Sequence, residues 1–186
     1  HPVRKRIPIQ IAALGPKNIE LTAELAEGWI PILYHPEKAD LAFGEPIRKG
    51  LAKRDPELGA LDVVAGGMVA IGDDVKGLLD RMRPMVALYV GGMGAREKNF
   101  YNQLFHRYGY EEEANKIQDL YLEGRKDEAA AAVPLEFLEA ANLVGPEGYV
   151  KERIAAFKES GVTILSVTPI AKDQPALIEK LKGWVS

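Results

Sequence analysis

The sequence predicts an α/β fold of four parallel β/α units, with a helical insertion between the third and fourth strands. Three observations carry this. Apolar runs of strand length are followed by a Gly or Pro break and then by helical periodicity. The order strand, helix, strand repeats, and successive parallel strands need crossover connections. From Asp73 to Gly161 the residues fall into short helical stripes separated by Gly and Pro, with no convincing strand among them.

The first strand is read from Ile7, Ile9 and Ile11, which alternate with Pro8, Gln10 and Ala12. Gly15-Pro16 breaks it, and Pro16 suits the first position of a helix in which Ile19, Ala23 and Ala26 share one stripe and Leu21 and Leu25 another. Gly28 closes that helix, and Trp29 to Tyr34 reads as the second strand. His35-Pro36 turns into a helical segment with Ala39, Phe43, Ile47 and Leu51 at every fourth position, where Gly44 and Pro46 are expected to kink or split it. Leu61 to Ile71 is the third strand, and Gly66-Gly67 inside it marks a bulge or a close approach by another backbone or a ligand. In the insertion, residues 73–161, the stripes are Val75, Leu78, Leu79 and Met82; Phe100, Leu104 and Tyr108; and Val150, Ile154 and Phe157. Val162 to Thr168 is the fourth strand. Asp173 to Val185 forms the closing helix on Leu177, Leu181 and Trp184. Four such units are half of an eight-stranded (β/α)8 barrel; an open doubly wound sheet has the same periodicity.

The 186 residues are 47% hydrophobic and 27% charged, enough for one domain or one large piece of a domain. Lys and Arg number 24 against 27 Asp and Glu, a net charge of -3, so nothing electrostatic points to nucleic acid or an anionic membrane. Cysteine is absent, which removes disulfides and thiol chemistry and fits a cytoplasmic setting. No apolar run approaches the ~18 residues of a membrane span. The opening His1-Pro2-Val3-Arg4-Lys5-Arg6 lacks an initiator Met and reads as a cut or processed end, with Arg4-Lys5-Arg6 a solvated lead-in to the first strand.

The chemistry concentrates in Ala12-Ala13-Leu14-Gly15-Pro16-Lys17-Asn18. Small residues there let a ligand approach the backbone. The turn leads to a helix N-terminus, where the amides of Lys17, Asn18 and Ile19 are expected free and the helix dipole is positive. Pro16 orders the turn without donating, and Lys17 adds a charge beside a group that, as a phosphate monoester, carries about −1.5 to −2. Spacing alone describes first a plain βα turn with solvated or capped amides and Lys17 in water, because the motif is short and Gly-Pro turns are common.

His35 follows the second strand, on the side where active-site loops of a barrel gather, and is a candidate substrate contact or a plain turn residue before proline. Gly91-Gly92-Met93-Gly94 is too flexible for helix interior; with Arg96 and Lys98 after it, the segment is a lid or binding loop for an acidic ligand, or an interhelical connection. His106 is expected at the surface. Glu111-Glu112-Glu113 is a solvated helix start. No phosphate-loop Lys-Ser/Thr pair follows Gly66-Gly67, no serine sits in a G-x-S-x-G elbow, and three scattered His give no metal-ligand spacing.

Three stretches carry a resemblance. IPIQIAALGPKNIELTAELAEGWIPIL, Ile7 to Leu33, is similar to the fifth strand, loop, helix and sixth strand of the luciferase-like monooxygenase family in its deazaflavin (coenzyme F-420)-dependent oxidoreductase branch. Leu143 to Thr168 resembles the approach to that family's last strand. Gly91 to Glu111 resembles a subgroup named methylenetetrahydromethanopterin reductase-like. The resemblance selects the barrel and makes this chain its C-terminal half.

It also implies that the loop after the first strand here binds the cofactor's phosphate-bearing side chain, through Ala12, Ala13, Gly15, Pro16 and Lys17, beside Asn18. Leu14 stands where many relatives carry a small hydroxyl residue, so that side-chain hydrogen bond is absent here and the backbone amides remain. The implied activity is hydride transfer between a deazaflavin and an organic substrate, with His35 and Arg96 as substrate-side candidates. FMN, which also carries a phosphate on a ribityl chain, is the alternative cofactor. A non-catalytic, self-associating half-barrel is the alternative of another class. The family's proton-handling residues lie on the first four strands, so no catalytic residue is assigned. Either a homo-oligomer or an N-terminal half-barrel is expected to cover the open edges.

Overall fold

The computed structural model describes Val3 and residues 7–185; Arg4-Lys5-Arg6 lies outside the described residues. The architecture is α/β with parallel strands. β1 (Gln10–Ala12), β2 (Gly28–Ile30), β3 (Asp62–Ala65) and β6 (Ile164–Leu165) form one sheet in that order. The register pairs Ile11 with Trp29, Trp29 with Val63, and Val64 with Ile164. β4 (Met68–Ile71) is the centre of a second sheet, between β5 (Leu143–Gly145) and β7 (Thr168–Pro169).

The expected third and fourth strands are therefore each divided in two. At Gly66 an added Cβ would stand 2.0 Å from the Ser166 carbonyl oxygen, and at Gly67 2.4 Å from that of Ala141, so two other backbones press on the glycines. This is the close approach the Gly-Gly pair signalled. The expectation of no strand between Asp73 and Gly161 is corrected: β5 lies inside that stretch and pairs in parallel with β4, Val69 against Leu143. Three residues show no alternation, and β5 is stabilised by burial of Leu143 and Val144 against β4. β2 ends earlier than expected because Pro31 cannot donate to a ladder. The chain then turns through Leu33, whose φ of 54° is left-handed, and Tyr108 Oη donates to the Leu33 carbonyl at 3.1 Å.

α1 (Pro16–Leu25) buries Ile19, Thr22 and Ala23 and leaves Leu21 and Leu25 exposed. The Gly44-Pro46 irregularity takes the form of a π-turn, Asp40–Gly44, that runs directly into α2 (Glu45–Leu51). Between β4 and β5 lie α3 (Arg83–Ala87), α4 (Phe100–Arg107), α5 (Glu111–Leu122), α6 (Lys126–Ala131) and α7 (Leu135–Ala141). Gly91 and Gly92, expected outside any helix, sit in a π-turn, Leu88–Gly92. Tyr121 of α5 packs on them so closely that a Cβ at either would meet its side chain at 2.5 and 2.4 Å. α8 (Glu147–Glu159) crosses from β5 to β6, and α9 (Gln174–Val185) closes the described chain. No helix among the described residues is long and apolar enough to cross a membrane. β1 and β6 are the edges of their sheet. Ile7 and Ile9, read as one face of the first strand, are 80% and 60% exposed, and Ile164 on β6 is 40% exposed.

Candidate functional site

A cleft of about 490 Å³ opens at the C-terminal ends of β1 and β2. Its wall is residues 12–15 and Asn18 from the first β/α unit, residues 30–32 after β2, and Tyr89, Phe100 and Tyr101 from the helical segment. The size falls within the usual range for small-molecule sites, and the wall holds aromatic and small apolar residues with no carboxylate.

Of the residues singled out in the sequence, the structure brings Ala12, Ala13, Gly15 and Asn18 into this wall, with Pro16 and Lys17 exposed on the same turn. Gly15 is the N-cap of α1 and offers no side chain to it. The Lys17 and Asn18 N–H groups are in the first turn and have no intrahelical acceptor. The Ile19 N–H, expected free, donates to the Gly15 carbonyl at 3.0 Å and closes the first helical bond, which corrects that part of the reading. The Leu14 and Gly15 N–H groups make no hydrogen bond among the described residues. Trp29 Nε1 donates to the Ala13 carbonyl at 2.9 Å and Arg107 Nη2 to the Leu14 carbonyl at 3.1 Å. Four amides, those of Leu14, Gly15, Lys17 and Asn18, thus lie within one turn without a hydrogen-bond partner among the described residues, a grouping of donors suited to an anion. Phe100 packs against Gly15, its ring edge 3.3 Å from where a Cβ would stand, so a side chain at position 15 would have to displace that ring slightly.

The aromatic side of the cleft is fixed by a buried amide. Asn99, 0% exposed, accepts from the N–H groups of Tyr101 and Asn102 at 2.9 and 3.1 Å and caps α4. Its Nδ2 donates to the Tyr89 and Val90 carbonyls at 2.9 and 3.0 Å, tying that cap to the π-turn. Tyr89 and Tyr101 meet edge to face with ring centroids 4.7 Å apart. Asn before an apolar stripe is a helix-start signal that could have marked residue 99; nothing local marked Tyr89 or Arg107.

His35 and Arg96 are placed elsewhere. His35 is 3% exposed, its ring packed among Tyr108, Tyr110 and Phe137. Nδ1 lies 3.2 Å from Glu37 Oε2 and Nε2 3.4 Å from Tyr110 Oη, and burial pushes the imidazole pKa down while Glu37 opposes the shift. Arg96 is exposed and pairs with Asp119 of α5. Neither belongs to the cleft wall. A second cleft of about 450 Å³ has Trp29, Phe43 and Leu61 in its wall and the paired Asp40 and Arg48 as its only charges; none of residues 12–18 lines it.

The chain is 38% identical over 176 residues to a Mycobacterium tuberculosis protein named for a coenzyme F-420-dependent oxidoreductase, covering 94% of this chain and 50% of that one. It is 29% identical over 179 residues to the 5,10-methylenetetrahydromethanopterin reductase of Archaeoglobus fulgidus, covering 93% of this chain and 52% of that one. The chain therefore spans about half the length of these curated relatives. In fold it is similar to the coenzyme F-420-dependent tetrahydromethanopterin reductase of Methanopyrus kandleri, with a TM-score of 0.68 and 24% identity over 96% of this chain and 50% of that chain. A coenzyme F-420-dependent secondary alcohol dehydrogenase, solved with a cofactor–acetone adduct, gives a TM-score of 0.63 at 14% identity over 98% of this chain and 50% of that one. The model of the luciferase-like monooxygenase family matches residues 1–163, and this chain belongs to that family.

Proposed function

We propose that the chain is the C-terminal, phosphate-holding half of a (β/α)8 barrel in a coenzyme F-420-dependent oxidoreductase. The observation that carries this is the turn at Gly15: four amides without a partner among the described residues, with Lys17 exposed on the same turn, at an aromatic cleft without carboxylates. A phosphate on a flat-ringed cofactor meets both needs, the anion at the amides and the apolar part along Tyr89, Phe100 and Tyr101. When bound, the deazaflavin accepts or delivers the hydride in exchange with an organic substrate. The chain's own residues hold the tail, exclude water with the aromatic wall, and set the cleft at the C-terminal ends of the strands. FMN also carries a phosphate on a ribityl chain, and the names of the relatives favour the deazaflavin. The half-barrel is supported by two sheet edges, β1 and β6, and by the twofold greater length of the relatives. A preceding half-barrel or a second copy would cover Ile7, Ile9 and Ile164.

Replacing Lys17 with Glu in the intact protein tests the site. A charge-assisted hydrogen bond contributes on the order of 1.5–3 kcal/mol, so at least about a tenfold loss of affinity for coenzyme F-420 is expected. Unchanged affinity would remove the assignment.

A further inference from the structure

We propose that Arg107 is a positioning residue for the phosphate loop: by holding the Leu14 carbonyl it turns the Leu14–Gly15 peptide so that the Gly15 N–H serves the anion. This rests on the reading of that loop as the phosphate site. In a trans peptide the C=O and N–H point in opposite directions, so fixing one end aims the other. Arg107 Nη2 holds the carbonyl end at 3.1 Å, and the Gly15 N–H at the other end donates to nothing among the described residues. The preceding peptide has the same arrangement, with the Ala13 carbonyl held by Trp29 Nε1 at 2.9 Å and the Leu14 N–H free. Glycine makes the tie necessary. Without a Cβ, residue 15 has little steric preference between the two orientations of its peptide, and the flipped one would aim a carbonyl at the anion.

The surroundings of Arg107 fit this role. Its Nε is buried without a hydrogen-bond partner, no carboxylate among the described residues pairs with it, and its guanidinium lies 5.7 Å from the Phe43 ring centroid. Burial pushes its pKa down. A cation partly removed from water with no counter-charge is costly, and an anion beside the loop offsets that cost. α4 explains the placement. Phe100 at its start abuts Gly15, and Arg107, two turns later on the same face, reaches the neighbouring Leu14.

The test compares Arg107→Met and Arg107→Lys with wild type and Lys17→Glu in the intact protein. Fluorescence titration reads binding of coenzyme F-420 and of the same deazaflavin stripped of its phosphate-bearing tail. Arg107→Met should weaken the phosphorylated cofactor about tenfold and the stripped one by less than about twofold, with Arg107→Lys recovering part of the loss by keeping a donor and the charge. Equal loss for both ligands makes Arg107 merely structural and overturns the proposal, as does no loss for either. If Lys17→Glu separates the two ligands and Arg107→Met does not, only this inference falls; if neither separates them, the phosphate-site reading falls as well. Wild type gives an arm that does not depend on a variant folding: inorganic phosphate titrated into isotope-labelled protein must shift the Gly15 amide resonance, and a silent Gly15 overturns the proposal.

Discussion

Removing the Asn99 side chain should destabilise the wall of the cleft and the fold together. Asn99→Ala deletes the N-cap of α4, worth about 1 kcal/mol, and both bonds that Nδ2 donates to the π-turn. The Val90 carbonyl keeps a second donor, Asn102 Nδ2 at 3.3 Å, whereas the Tyr89 carbonyl loses its side-chain donor. A buried polar group left unsatisfied costs about 1–3 kcal/mol. The expected loss is therefore about 2–4 kcal/mol, read by urea denaturation as a lower midpoint at unchanged slope. Asn99→Ser restores a capping oxygen and no reaching donor, so it should recover about 1 kcal/mol and no more. A loss below about 1 kcal/mol in the Ala variant, or full recovery in the Ser variant, would show that the bonds to Tyr89 and Val90 contribute nothing.

Two further outcomes are expected. His35 has its pKa lowered by burial, so below the unfolded value of about 6.5 the unfolded chain binds a proton that the native chain does not, and stability falls as pH falls. His35→Gln should show a shallower loss than wild type between about pH 7 and pH 5 in denaturant titrations, and parallel profiles would refute the assignment. The exposed Ile7, Ile9 and Ile164 at the β1 and β6 edges should drive the 186-residue chain to associate at micromolar concentration in sedimentation experiments. A monomer whose two edge strands are well protected from exchange would show that neither edge needs a partner.

Local chemistry was legible without coordinates. The Gly15-Pro16 turn, the buried stripe of Ile19, Ala23 and Ala26, and the small-residue loop at Ala12 and Ala13 each depend on neighbours within a few positions, where backbone propensity and helical spacing act. The Gly66-Gly67 pair announced a close approach, although not of what. Sequence also carried the family, through three separated stretches in order. The tertiary structure decided everything that joins distant segments. β5 is a strand because β4 offers it an edge, and its three residues carry no pattern of their own. His35 became a core residue because Tyr108, Tyr110 and Phe137, from segments far along the chain, close around it. Gly91 and Gly92 joined a π-turn because Tyr121 packs on them. The cleft itself needed Phe100 and Arg107 brought to Gly15 and Leu14, the last contact spanning 93 positions. Such contacts form only when burial of apolar surface offsets the entropy of closing the long loops between them, a balance set by the whole chain rather than by any window of it.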